Sequence, residues 1–202
     1  MSKFKIFILF IFCFSVSLRS FSQKVAVNVI MENKKSNIKS DTIYYDFNRK
    51  LSWEDFQGKP DTNHFGGAVT ASGFAFNSEM SYDDRHADLV IHVYTFFSKH
   101  DSWKKSNINS DYHLLHEQHH FDITRIGAQR FIEEIKKAHF TRNNYNRLIN
   151  AIFNKVYNEN MVLQEQYDFE TRNSINIKKQ EEWNERIADE IKKLKEKQPR
   201  QQ

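Results

Sequence analysis

The residues that could do chemistry in this chain are concentrated in one histidine-rich segment. Four of the nine histidines lie within eight residues, namely His113, His116, His119 and His120. The spacing His116-Glu117-x-x-His120 is the H-E-x-x-H pattern, in which residues four apart on a helix share one face with Cβ atoms roughly 5 to 6 Å apart. Two imidazole nitrogens can then meet one metal ion at about 2.0 to 2.1 Å, and Glu117 can take a proton from water beside it. The pattern therefore indicates metal-assisted hydrolysis, with solvated histidines at a helix N-terminus as the alternative.

A third metal ligand has to come from another part of the chain. Phe-Asp-Ile-Thr-Arg-Ile follows His120, so the longer H-x-x-G-x-x-H extension is absent. A carboxylate from a later helix is the usual alternative, and Asp168 and Glu170 are the best candidates. Both residues stay open as the third ligand on this reasoning.

Other polar residues near the motif have less specific interpretations. Asp122 would lie about 200° round a helix from His120, so we expect it to anchor the helix to a neighbour rather than to bind the ion. His113 and His119 flank the motif, each three positions from His116. These two histidines either orient ligands or substrate, or are simply exposed.

The segments around the motif predict a sheet followed by helices. Apolar residues between positions 24 and about 98 are β-branched or aromatic and often alternate, which favours a meandering antiparallel sheet. Its last strand, 89–97, is either an edge that could pair with an extended peptide or an internal strand. From about Ser110 the apolar period becomes helical, and the last of three helices covers about 178–197. The predicted fold class is α+β, with an N-terminal antiparallel sheet followed by a helical C-terminal part that carries the H-E-x-x-H helix.

Residues 1–22 have the pattern of a secretory signal peptide. They open with Lys3 and Lys5, continue through an apolar run of about 13 residues and end at the small-x-small site Ser20-Phe-Ser22. That run is shorter than the roughly 20 residues of a membrane span. We therefore expect an exported protein, periplasmic or secreted, with no membrane span after signal removal. The only cysteine, Cys13, lies in this run, so residues 23–202 hold no thiol for disulfides or metal binding.

Composition and charge exclude further classes of protein and of partner. With 39% hydrophobic and 14% aromatic residues, the chain is too apolar to be a disordered polymer. The formal charge of +4 comes mainly from Lys3, Lys5 and Arg19, because 27 basic and 26 acidic side chains remain when residues 1–22 are left out. Nucleic acid is therefore not an expected partner.

Several blocks of the chain, in the same order, resemble one known family. The blocks are Leu51-Ser-Trp-Glu-Asp-Phe-Gln-Gly-Lys-Pro60, Ala68-Val-Thr-Ala-Ser-Gly73, Ser102-Trp103, Leu114-Leu-His-Glu-Gln-His-His-Phe-Asp-Ile123, Tyr167-Asp-x-Glu-Thr171 and Gln180-x-x-Trp183. On these blocks the chain resembles the bacterial secreted Zn-dependent proteases of the DUF922 family. The resemblance implies a zincin-like metallopeptidase domain over residues 23–202, in which a sheet precedes the active-site helix and a C-terminal helical part completes the metal site.

The same resemblance assigns roles to particular residues. It implies Zn2+ as the cofactor, His116 and His120 as metal ligands, and Glu117 as the general base. It also points to the Tyr-Asp-x-Glu-Thr block, where Asp168 is favoured as the third ligand and Glu170 is the runner-up.

The chain departs from the family pattern just after this block. Family members often have a histidine and then Gly or Ser after Glu-Thr-x, whereas this chain has Asn173-Ser174. If that histidine bound the metal or stabilised the transition-state oxyanion, Asn173 would weaken the site, although an amide N–H can still donate a hydrogen bond to developing charge. Tyr167 is another candidate oxyanion donor, with core packing as its alternative role.

The sequence as a whole predicts an exported zinc-dependent metallopeptidase that acts on a peptide or protein substrate. Two alternatives stay open. One is a zinc-binding but catalytically inactive envelope protein, which Asn173 favours. The other is a metal-dependent cell-wall amidase or peptidase.

Overall fold

The structure is a computed structural model and describes residues 25–34, 36, 40–83 and 86–197. The predicted signal peptide, residues 1–22, lies outside these described residues. Strands occupy the N-terminal half and three helices the C-terminal half, so the predicted order of sheet and helices is confirmed. The strands are β1 (Val25–Met31), β2 (Thr42–Tyr44), β3 (Ala68–Val69), β4 (Ser72–Tyr82), β5 (Ala87–Ser98) and β6 (Trp103–Lys104), and the helices are α1 (Asp111–Lys137), α2 (Tyr145–Thr171) and α3 (Ile177–Glu196).

Strand β5 is the centre of the main sheet. It pairs along its whole length with β4 on one side, and on the other side first with β1 and then with β2. Its residues alternate between buried and more exposed positions, as expected for a strand with one face on the core. The internal alternative for 89–97 is therefore the correct one, and the edge interpretation is wrong.

The prediction of an antiparallel sheet is wrong for one of the strand pairs. β2 and β4 run antiparallel to β5, but β1 runs parallel to it, with Val25 opposite Ala87 and Met31 opposite Val93. Turn-forming residues predict only hairpins between consecutive strands, whereas β1 reaches β5 through a long connection that permits either direction. The sheet is therefore mixed.

The inner face of the sheet packs against α1 and α2. Phe74, Ile91 and Val93 from the sheet meet Phe131 and Ile135 of α1 in the largest apolar cluster. None of the helices in the described part of the chain combines the length and apolar composition that a membrane span requires.

Helices α1 and α2 approach each other closely beside the sheet. A Cβ atom on Gly127 of α1 would lie 2.5 Å from the side-chain amide nitrogen of Asn160 on α2. That buried amide donates a hydrogen bond to Ile123 O of α1 (2.9 Å). The absence of a side chain at Gly127 thus sets the separation of the two helices that carry the candidate site.

Candidate metal centre

Helix α1 carries both histidines of the motif on one face. The helix begins after Ser110, whose hydroxyl accepts a hydrogen bond from the backbone N–H of His113 (3.3 Å). His116 and His120 lie further along, one turn apart, with ring centroids separated by 4.9 Å. Both rings direct their Nε2 atoms toward α2, as the i, i+4 spacing requires.

Asp168 of α2 meets these two nitrogens. Its Oδ1 lies 3.2 Å from His116 Nε2 and 3.1 Å from His120 Nε2. Ligand atoms around a tetrahedral ion with bonds of about 2.0 to 2.1 Å are about 3.3 Å apart, so these atoms already have the spacing of one coordination sphere. The side chains of His116, His120 and Asp168 are 5%, 13% and 37% exposed, which leaves the cluster open on the Asp168 side. The three residues could therefore hold a metal ion.

Glu170, the other candidate ligand, turns away from the cluster. Its carboxylate accepts hydrogen bonds from Trp183 Nε1 (3.0 Å) and Gln166 Nε2 (2.7 Å). Glu170 lies two residues beyond Asp168, which places it about 200° round the helix, so the two carboxylates cannot both face α1. The structure thus brings Asp168, and not Glu170, to the histidines.

Each imidazole is contacted on its far side, at Nδ1, by one glutamine. Gln180 of α3 places Oε1 2.9 Å from His116 Nδ1, and Gln164 of α2 places Oε1 2.6 Å from His120 Nδ1. An Nδ1–H that donates to such an acceptor leaves Nε2 with its lone pair for a metal ion. Neither glutamine has a role among the predictions made from the sequence. Gln164 could have been found, because it lies four residues before Asp168 on the same helix face. Gln180 belongs to the Gln180-x-x-Trp183 block of the resemblance, but that block does not show what the side chain contacts.

Tyr167 supports the ligand rings from the core. It is fully buried and stacks on the His116 ring, with centroids 4.6 Å apart and planes at 23°. Its hydroxyl donates to His116 O (3.4 Å) and accepts from Gln180 Nε2 (2.6 Å). Tyr167 is therefore a packing residue with its hydroxyl already engaged, and the oxyanion-donor alternative does not fit its position.

Glu117 is buried next to the two histidines of the cluster and lines the same cleft. Thr70, which follows β3, donates its hydroxyl to Glu117 Oε2 (2.7 Å) and to Glu117 O (3.1 Å). These bonds fix the carboxylate against the strand and engage one of its two oxygens. Within the described residues, Oε1 has no such partner and can accept a proton.

The electrostatics of the cluster follow from the proximity of Asp168. Burial alone would lower the pKa of His120, but the hydrogen bond and negative charge of Asp168 outweigh it and raise that pKa to about 9. Burial would raise the pKa of Asp168, yet hydrogen bonds from His116 and His120 hold it well below its usual range. Without a metal ion, positive charge on His120 thus balances the carboxylate, and a bound cation would replace that charge.

The flanking polar residues have separate roles. Asp122 is buried and accepts hydrogen bonds from Tyr45 Oη (2.7 Å) and Gln118 Nε2 (2.9 Å), so it anchors α1 as expected. His119 is also buried and contacts Asp122 through Nδ1 (3.2 Å) instead of facing the cluster. His113 is only partly buried and lines the cleft.

A cleft of about 280 Å3 opens in front of the cluster, and strand β3 forms part of its wall. β3 pairs with β6, where Lys105 N donates to Gly67 O (2.8 Å) and Val69 lies opposite Trp103. Hydrogen-bonding groups alternate in direction along an antiparallel strand, so Ala68 directs its N–H and C=O away from β6. The strand edge beside the cluster is thus in β3, and not in the segment 89–97, for which the sequence left an edge and an internal strand as alternatives.

Comparison of the chain with protein-family models, with curated proteins and with solved structures gives no match.

Proposed function

We propose that this protein is an exported zinc-dependent metallopeptidase. The observation that carries the proposal is that Asp168 Oδ1 lies 3.2 Å from His116 Nε2 and 3.1 Å from His120 Nε2, with Glu117 lining the same cleft. The basic and apolar character of residues 1–22 supports export.

The donor set fits zinc. Two neutral imidazoles and one carboxylate are the ligands of open catalytic zinc sites, which keep a fourth position for water or substrate. Here His116, His120 and Asp168 would hold the ion, and Gln180 and Gln164 would hold the rings. When bound, zinc acts as a Lewis acid and brings the pKa of its coordinated water to about 7.

Glu117 is placed to move the proton. With Oε2 engaged by Thr70, its Oε1 accepts a proton from the attacking water as the water oxygen bonds to the peptide carbonyl carbon and the C=O π pair moves onto the carbonyl oxygen. When this pair returns, the C–N bond breaks, and Glu117 gives its proton to the departing amine nitrogen. The carboxylate is regenerated, and one water has been consumed for each peptide bond.

The edge of β3 supports a peptide as substrate. An extended chain could form main-chain hydrogen bonds with Ala68 and lie across the cleft past Glu117. A cleft of about 280 Å3 holds a short stretch of chain and not a whole folded protein, so the substrate must present an extended segment.

Elemental analysis and hydrolysis assays on the purified protein test the proposal. We expect one zinc per chain and cleavage of casein or of a peptide library, lost on chelation and restored by zinc. Stoichiometric zinc without turnover on any substrate would refute the peptidase and favour the inactive envelope protein. Release of peptides from purified peptidoglycan but not from casein would assign the site to cell-wall hydrolysis.

A further inference from the structure

The segment that follows α2 has an unusual backbone. Arg172, Asn173 and Ser174 have φ angles of 52°, 52° and 71°, and none of them is a glycine. A non-glycine residue with positive φ is uncommon, and such strain is kept where the surrounding structure enforces it. Here Asn173 N donates to Asp168 O (3.0 Å), and Tyr112 Oη donates to Ser174 O (2.7 Å). The left-handed segment is therefore tied to the candidate ligand helix and to α1.

This conformation brings Asn173 to the cleft, whereas Arg172 is exposed and does not line it. Two residues with side-chain amides, Gln164 and Asn173, are among those that line the cleft. Gln164 donates to His120 O (2.9 Å) and to Thr124 Oγ1 (3.1 Å). Asn173 makes no side-chain hydrogen bond within the described residues. Its Nδ2 hydrogens are thus available to a ligand in the cleft.

Peptide hydrolysis at this site needs such a donor. When water adds to the peptide carbonyl, the π pair moves onto the carbonyl oxygen, and stabilising this charge is commonly the largest catalytic contribution of a site. The hydroxyl of Tyr167 is buried and engaged, and the hydroxyl of Thr70 is bound to Glu117. Neither group can serve without breaking a bond that holds the site together.

We propose that Asn173 donates its Nδ2–H to the carbonyl oxygen of the substrate as negative charge develops on it. This inference rests on the proposed peptidase function. A simpler explanation for an asparagine at position 173 is its backbone conformation, because asparagine tolerates the left-handed region better than most residues. Glycine would serve that backbone role at least as well.

Two glycine variants of the zinc-loaded protein separate the two roles. Asn173→Gly and Arg172→Gly change residues with the same φ of 52°, so each relieves backbone strain, but only Asn173→Gly removes an amide from the cleft. We expect both variants to bind one zinc and to keep or raise the urea midpoint. Arg172→Gly should hydrolyse peptide like the wild type, whereas Asn173→Gly should lose about 10²-fold in kcat with little change in KM.

The outcomes are distinct. A kcat of Asn173→Gly equal to that of Arg172→Gly, with the wild type active, overturns the donor role and leaves the peptidase intact. If the zinc-loaded wild type cleaves no peptide, the proposed function fails and the donor role fails with it.

Discussion

Replacing Gln180 by leucine tests whether α3 orients a metal ligand on α1. Gln180 is almost completely buried, and it makes three side-chain contacts: to His116 Nδ1 (2.9 Å), to the Tyr167 hydroxyl (2.6 Å) and to Asn184 Oδ1 (2.8 Å). Leucine keeps much of the volume but removes the acceptor for the imidazole N–H.

The expected loss falls mainly on the metal-bound state. Without metal, His116 can place its hydrogen on Nε2, where Asp168 Oδ1 accepts it at 3.2 Å. With metal on Nε2, the hydrogen must sit on Nδ1, and in the leucine variant it has no acceptor. Leaving a buried donor unsatisfied costs about 1–3 kcal/mol. This matches the 10- to 100-fold loss of metal affinity typical for removal of such a partner, about 1.4–2.7 kcal/mol.

Competition with a chromophoric chelator measures the zinc affinity directly. The matched control is Gln166→Leu, because Gln166 is exposed and, among the described residues, its side chain bonds only to Glu170 Oε1 (2.7 Å). The zinc affinity of this variant should equal that of the wild type. Urea unfolding of the metal-free proteins corrects for any general loss of stability. An unchanged zinc affinity in Gln180→Leu, with the variant folded, would refute the orienting role of α3.

Four further predictions concern the site and its scaffold. Glu117→Gln should abolish hydrolysis while zinc stays bound, measured by peptide cleavage and elemental analysis; wild-type turnover would contradict the general-base role. Asp168→Ala should lose stoichiometric zinc, whereas Glu170→Ala should retain it; the opposite pattern would make Glu170 the ligand. Gly127→Ala should lower the free energy of unfolding by about 1–3 kcal/mol, because its Cβ would meet a buried α2 amide at 2.5 Å, and an unchanged urea midpoint would show that the helices separate freely. In metal-free protein the pKa of His120 is raised to about 9 from the ordinary 6.5, so the stability contributed by its protonated form is complete below about pH 6.5 and is lost as pH rises through 9. The urea midpoint should fall between these pH values, and it should fall by a smaller amount in Asp168→Ala.

The sequence was sufficient where the information is local. Spacing along one helix places His116 and His120 on a common face with Glu117 beside it, and the helical period predicts where α1 lies. Exclusion of Glu170 also follows from helix geometry once one carboxylate is known to face α1. The first two conclusions do not need the tertiary arrangement, whereas the exclusion of Glu170 depends on knowing that Asp168 faces α1.

The parts that sequence reasoning missed depend on contacts between distant segments. The alternation in β5 is the same whether a strand lies at an edge or at the centre, because one face can be partly exposed in both positions. The parallel pairing of β1 is likewise set by a partner far along the chain. Thr70 and Gln180 contact the site across 47 and 64 residues. Both lie in blocks that carry the family resemblance, but those blocks do not show what either side chain contacts.

The arrangement ties the site to the packing of the whole helical half. α1 supplies two candidate ligand rings and the candidate base, α2 supplies Asp168 and Gln164, and α3 supplies Gln180. The candidate ligand atoms converge only when α1 and α2 are docked, and α3 holds the His116 ring through Gln180. An ion bound there would therefore stabilise the docked state over any state in which one of these helices has separated. Tyr167 links these contributions physically, since its ring lies between His116 and Trp183 with centroids 4.6 and 5.3 Å away. Metal affinity and helix packing should therefore change together, so a substitution that loosens the packing of α3 should also lower the metal affinity of the candidate site on α1 and α2.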